Sequence, residues 1–115
     1  MRIFLALDIG TTSVKGCAFD ESFNRVASFH REYALQTPCA HFVEMDPDDY
    51  WAAVAGGIRD LLAGGLKAED IACVTFTTQG ETMIPVDATG SPLSKAVVWL
   101  DDRAQEEARR LSAEI

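Results

Sequence analysis

The sequence predicts an α/β domain: an antiparallel three-stranded meander, a helix, a fourth strand returning parallel beside the first, an inserted β-hairpin and a closing helix. Three observations predict it. Strand-length runs starting at Ile3, Val14 and Arg25 are joined only by short turn-like segments, as in a meander. Trp51, Val54, Ile58, Leu61 and Leu62 recur at helical spacing and predict one buried stripe. Ile71–Phe76 is nearly all apolar and of strand length, which fits a strand covered on both faces, as in a parallel sheet.

The first strand carries the most informative stretch, Leu5-Ala6-Leu7-Asp8-Ile9-Gly10-Thr11-Thr12-Ser13-Val14-Lys15. An apolar run ends in one carboxylate, and a glycine and three hydroxyls follow at once. Gly10 can take positive φ and lets backbone approach a ligand closely. The N–H groups of such a turn can form a concave nest for an anion, and Thr11, Thr12 and Ser13 add hydroxyl donors. Asp8 beside a phosphate makes sense only with a cation such as Mg²⁺ between them. A β-hairpin with a polar turn and a merely capping aspartate fits the same residues. The stretch lacks the G-x-x-x-x-G-K-[ST] pattern of a P-loop, and Lys15 reads as a solvated strand lysine.

The second strand runs from Val14 to Asp20, Glu21–Asn24 is a turn, and the third strand spans Arg25–Tyr33 with His30 at a surface or edge position. Residues 36–44 read as a loop. Its Cys39 and His41 are a metal pair without further ligands nearby, so no metal site is assigned there. Asp46 suits the N-cap of the helix, Pro47 its first position, and Asp48 and Asp49 its positive end. That accounts for the acidic cluster without a catalytic role. Gly64-Gly65 ends the helix.

A right-handed crossover then sets the Ile71 strand beside the first, in the order third, second, first, fourth. The turn after Asp8 and the segment after Phe76 therefore leave the sheet at the same edge, where ligand sites of open α/β sheets gather. Thr77-Thr78-Gln79-Gly80-Glu81-Thr82 is polar and flexible at Gly80. Glu81 can accept from hydroxyls, and Gln79 can donate and accept. An ordinary polar loop fits these residues too. Met83–Val86 and Ala96–Trp99 flank the Asp87–Gly90 turn signal as an inserted hairpin. A final helix starts at Leu100–Arg103, with Asp101 or Asp102 as N-cap and Ala104, Ala108, Leu111 and Ile115 on one face.

Bulk properties narrow the function. A chain of 115 residues predicts one domain, short for an enzyme of two substrates. Its net charge of −8 argues against nucleic acid and against an anionic membrane surface. No signal peptide and no membrane-length apolar run is read. Cys17, Cys39 and Cys73 form no CxxC pair. Cys17 and Cys73 read as core residues and Cys39 as a loop residue, so the expected setting is a reducing cytoplasm without disulfides or zinc.

Taken together, D-I-G-T-T-S, T-T-Q-G-E-T, D-A-T-G-S-P-L and A-V-V-W-L-D-D-R, with the helix entry Glu44–Pro47 through Trp51, resemble the N-terminal portion of the FGGY carbohydrate kinases. These include glycerol kinase, xylulokinase and gluconate kinase. The resemblance covers nearly the whole chain. It implies a ribonuclease H-like (actin-like ATPase) half-domain, with residues 1–115 the N-terminal portion of the first domain of a sugar kinase. It also implies ATP-dependent phosphorylation of a sugar or polyol hydroxyl.

By the resemblance, Asp8 would hold Mg²⁺ mainly through water, and Gly10, Thr11, Thr12 and Ser13 would line the ATP phosphate hairpin. Gln79, Gly80 and Glu81 would face the acceptor. Trp99 would lie near it, with Asp101 and Arg103 in the corner beside it. In glycerol kinases an arginine that touches the polyol stands at the position of Gly80, so glycine there implies room for a larger substrate. The Met-His pair of xylulokinases is absent from this loop. The general-base aspartate and the adenosine pocket are expected beyond these residues, so no catalytic residue is assigned here and the chain alone is expected to be inactive. Its expected partners are the remainder of the kinase and, through apolar surface left uncovered, a second copy. A short, non-catalytic module that binds sugar or nucleotide, or docks on a partner, is the alternative. An actin- or Hsp70-like ATPase is disfavoured by the T-Q-G-E-T and V-V-W-L-D-D-R strings.

Overall fold

The computed structural model describes residues 1–115. Strands β1 (Ile3–Ile9), β2 (Ser13–Phe19) and β3 (Arg25–Glu32) form the expected meander. A two-residue strand β4 (Glu44–Met45) precedes helix α1 (Pro47–Ala63), and β5 (Ile71–Thr78), β6 (Ala96–Val97) and helix α2 (Gln105–Glu114) follow. β5 pairs parallel to β1, and the sheet order β3-β2-β1-β5 matches the expected one.

The residues group into two compact units. The first comprises 1–34 and 48–80, and the second 35–47 and 81–115. In the first unit the strand alternation does the sorting. Ile3, Leu5, Leu7, Val14 and Ala18 face α1 and form the core with Ala53, Val54 and Leu61. Phe4, Ala6 and Asp8 take the alternate positions of β1 and so lie on the opposite face of the sheet.

The buried stripe of α1 differs from the expected one. Ala53, Val54, Gly57 and Leu61 are buried, whereas Trp51 is 72% exposed. Small residues are needed on part of that face because the Phe29 ring packs there. A Cβ built on Gly57 would sit 2.1 Å from that ring, and one on Gly16 of β2 equally close. The helix ends as expected. Gly65 has φ +105°, its N–H donates to the Leu62 carbonyl, and the Leu66 N–H donates to that of Leu61, a Schellman cap.

Two burial expectations fail. β5 is exposed along almost its whole length, with Val74 and Phe76 51% and 68% exposed, rather than covered on both faces. It is an edge strand here, and no element of these residues pairs with its outer side. Cys73 shares that exposure, and Cys17 is only half-buried, so neither is a core cysteine. Cys73 instead lines an open apolar hollow of about 300 Å³ with Phe4, Phe19, Phe23 and Thr75.

In the second unit the predicted hairpin is reduced to single bridges, Met83 with Val97 and Val86 with Pro92. The ladder partner of β6 is β4, a strand the loop reading of residues 36–44 did not include. The Asp87 turn holds: its Oδ1 accepts from the Thr89 and Ser91 N–H groups at 2.8 and 3.0 Å, and Gly90 has φ +86°. α2 starts three residues later than the nearer predicted cap, after Ala104, which makes no side-chain capping bond. Asp101 and Asp102 are engaged elsewhere, as described below. No helix is long and apolar enough to cross a membrane.

Candidate functional site

The turn after Asp8 is a tight hairpin tip. Ile9 pairs with Val14, and the Gly10 N–H donates to the Ser13 carbonyl at 2.9 Å. Gly10 does not use the positive φ the sequence allows it. Its missing side chain matters instead, since a Cβ would come within 3.2 Å of the Ser13 carbonyl oxygen. The carbonyls of the tip are held from behind. The Tyr33 hydroxyl donates to the Gly10 carbonyl, with the Ser13 carbonyl 3.1 Å away, and the Tyr33 N–H donates to Thr12 at 3.0 Å. In a trans peptide the following N–H points opposite the carbonyl. The Thr11 and Ser13 N–H groups therefore face away from these clamps.

Asp8 is exposed one residue before the end of β1. In register, Lys15 of β2 lies directly opposite it on one side and Thr77 of β5 on the other. Directly paired residues share a face, with Cβ atoms about 5 Å apart. A carboxylate, an ammonium and a hydroxyl thus form one row at the carboxyl edge of the sheet. Lys15 was not singled out by its strand position alone.

Gln79 leaves β5 at the same edge, its N–H donating to the Ile9 carbonyl at 2.9 Å. Its side chain is committed within this unit. Nε2 donates to the Tyr50 hydroxyl at 2.9 Å and to the Gly10 carbonyl at 3.3 Å, and Oε1 is buried without a partner. Gly80 is exposed, and a Cβ there would meet nothing within 4 Å. Burial, with help from the neighbouring Tyr50 and the Asp8 charge, pushes the Tyr33 hydroxyl up to about 12, so it remains a donor. Tyr33 and Tyr50 were not expected at the site. Neither carries a motif, and only the fold sets the end of β3 and the first turn of α1 behind the tip.

The other expected residues belong to the second unit. Glu81 is exposed at φ +61°. Trp99 is 49% exposed, and its N–H donates to the Thr82 hydroxyl at 3.2 Å. Asp101 has a side chain only 2% exposed. Its carboxylate accepts from the Val43 N–H at 2.7 Å and from the Arg103 guanidinium at 2.8 and 2.6 Å. Arg103 also reaches Glu44 at 2.8 Å and stacks on Phe42 with 3.7 Å to the ring centre. Hydrogen bonding to Arg103 holds the Asp101 carboxyl well below the usual carboxylate range despite its desolvation. Asp101 therefore ties residues 42–44 to the corner before α2 and does not cap the helix. Asp102 is taken by His41 Nδ1 at 2.8 Å.

Residues 3–115 match the model of the FGGY family of carbohydrate kinases, N-terminal domain. The chain is 42% identical over 116 aligned residues to the glycerol kinase of Roseobacter denitrificans, an alignment that covers 99% of the chain and 23% of that protein. Among solved structures it resembles the glycerol kinase of Plasmodium falciparum with ADP (TM-score 0.91, 29% identity, 100% of this chain and 24% of that one). It also resembles a xylulose kinase from Brucella ovis (TM-score 0.92, 30% identity, 98% and 24%). The chain thus spans about a quarter of the length of the relatives it matches, and its fold is that of the actin-like sugar kinases. It belongs to the FGGY family of carbohydrate kinases, whose N-terminal domain model it matches along nearly its whole length.

Proposed function

We propose that the intact protein transfers the terminal phosphoryl group of ATP to a hydroxyl of a sugar or polyol, and that this chain supplies the phosphate hairpin and part of the acceptor loop. The observation that carries this reading is the row of Lys15, Asp8 and Thr77 beside a hairpin tip whose carbonyls are tied down from behind. The exposed Asp8 carboxylate suits a hydrated Mg²⁺, which takes one or two carboxylates and keeps most of its water. The metal would neutralise charge on the transferring group. Gly10, Thr11, Thr12 and Ser13 would offer N–H and hydroxyl donors to phosphate oxygens, and Lys15 a positive charge to the same group. Phosphoryl transfer needs mostly such positioning and charge neutralisation. Asp8 is not the general base, because its place is with the metal. The base and the adenosine pocket are assigned to the rest of the protein.

Gln79, Gly80, Glu81, Trp99, Asp101 and Arg103 are proposed for the acceptor side on the strength of the family resemblance. Of these, Glu81 and Trp99 are exposed to meet it, while Asp101 and Arg103 hold each other. The open space at Gly80 favours an acceptor larger than glycerol, although the relatives it resembles include glycerol kinases. Three free cysteines suit a cytoplasmic enzyme.

The test is steady-state kinetics of the full-length protein with ATP, Mg²⁺ and a panel containing glycerol, xylulose and gluconate. The full-length enzyme is expected to turn over at least one acceptor, and the 115-residue chain none. Asp8→Asn should lower kcat/KM on the order of a hundredfold. Full-length protein inactive on the whole panel, or turnover by the short chain, would overturn the reading.

A further inference from the structure

We infer that Tyr33, Tyr50 and Gln79 form a latch on the Gly10 carbonyl that couples the phosphate hairpin to the base of the acceptor loop. The inference rests on the phosphoryl-transfer reading for its functional meaning, but its geometry stands by itself. One carbonyl accepts from two elements: the Tyr33 hydroxyl at the end of β3 and the Gln79 amide at the end of β5. Gln79 is itself positioned by the Tyr50 hydroxyl from the first turn of α1, at 2.9 Å. The two tyrosine rings meet edge to face, with centroids 5.1 Å apart and planes at 74°, a favoured aromatic geometry.

The Gln79 amide shows that this arrangement dominates locally. Both of its side-chain hydrogen bonds use Nε2, which leaves Oε1 buried and unpaired. An unpaired buried acceptor is costly. Turning the amide over would aim Oε1 at the Gly10 carbonyl oxygen, a repulsion between two acceptors. The orientation is therefore set by the need to hold Gly10. Because the Gly10 carbonyl and the Thr11 N–H belong to one rigid peptide plane, any shift of Gln79 turns a donor of the hairpin. Acceptor-side movement at Gln79-Gly80 is thereby transmitted to the phosphate grip. Tyr33 and Tyr50 are positioning residues in this scheme and touch neither substrate.

The test is residue-resolved amide hydrogen exchange on the full-length protein, with Tyr33→Phe and Tyr50→Phe. Each variant keeps its ring and loses only a hydroxyl. In Tyr33→Phe, exchange should rise about tenfold, the equivalent of one lost hydrogen bond, at Gly10 and also at Gln79, whose N–H bonds Ile9. Leu5 and Cys17, in the middle of the β1–β2 ladder, should not change. The double variant should show less than the product of the two single effects, because both act through one carbonyl. In full-length enzyme, Tyr33→Phe should raise the KM for ATP about tenfold. A uniform rise along the chain, or an unchanged Gln79, would overturn the latch. If the full-length protein phosphorylates nothing, the functional reading falls, while the exchange pattern still decides the latch.

Discussion

Asp101 shows how one side chain can carry a corner of a fold. Its carboxylate joins Val43 to Arg103, and Arg103 in turn holds Glu44. Its folded-state pKa lies below the unfolded value of about 3.9. The linked stability is therefore complete above that value and is lost as the pH falls through the folded one. Asp101→Asn should lower the unfolding midpoint by the same amount from about pH 5 to about pH 8, and the difference from wild type should shrink below about pH 4. A gap that grows in acid would show that Asp101 is not held as a carboxylate. At the same scale, the proposed place of Gly80 on the acceptor side carries a testable expectation. Gly80→Arg should raise kcat/KM for glycerol relative to xylulose in the full-length enzyme, by roughly tenfold if one new charged hydrogen bond forms. Competition assays with the two acceptors would show it. The sequence located Asp8 near the end of the first strand and the hydroxyl-rich residues in the following tip because strand, charge and glycine follow one another along the chain. It could not place Tyr33, Tyr50 or Lys15, whose roles depend on what lies beside them.

Among the elements, the contact between α1 and the sheet is the most constrained. The Phe29 ring is held between Gly16 and Gly57, each of which would put a Cβ 2.1 Å from it. Gly57→Ala should cost about 1–3 kcal/mol by overpacking, measured by urea denaturation. Combined with Phe29→Ala, the two losses should sum to less than their separate values, since the removed ring makes room for the new methyl. Helical periodicity located α1 correctly, yet it chose Trp51 for the buried face. Periodicity reports which residues are apolar at a given spacing, and Val54, Ile58 and Leu61 do pack on the sheet, but it does not show that the Phe29 ring needs a glycine at position 57. The same limit applies to α2. Asp101 and Asp102 look like caps in the sequence, but stronger partners, Arg103 and His41, take both carboxylates.

For the molecule as a whole, the two sheet edges differ in kind. β3 carries Arg25, His30, Arg31 and Glu32 along its exposed edge, whereas β5 is Ile-Ala-Cys-Val-Thr-Phe-Thr-Thr, uncharged and open. Charged edges resist strand addition and uncharged ones invite it. The 115-residue chain on its own should therefore self-associate through β5. Light scattering at rising concentration should show this for the wild type. Val74→Lys should reduce it without loss of helical circular dichroism, and a wild-type monomer at high concentration would refute the expectation.

What could be known from the residues alone was local or ordered along the chain: the meander, the helix with its glycine stop, the parallel return strand, the polar hairpin tip and the family to which the ordered motifs point. These follow from propensity, periodicity and turn chemistry, each read within a few residues. Pairing across distance was decided only in three dimensions. That includes the β4–β6 ladder, the exposure of β5 and Cys73, the row of Lys15, Asp8 and Thr77, the hold of Asp101 on Val43, and the convergence of Tyr33 and Gln79 on one carbonyl. The physical reason is the same in each case: a hydrogen bond or a packed ring depends on the nearest atoms in space, and chain order alone does not name those atoms.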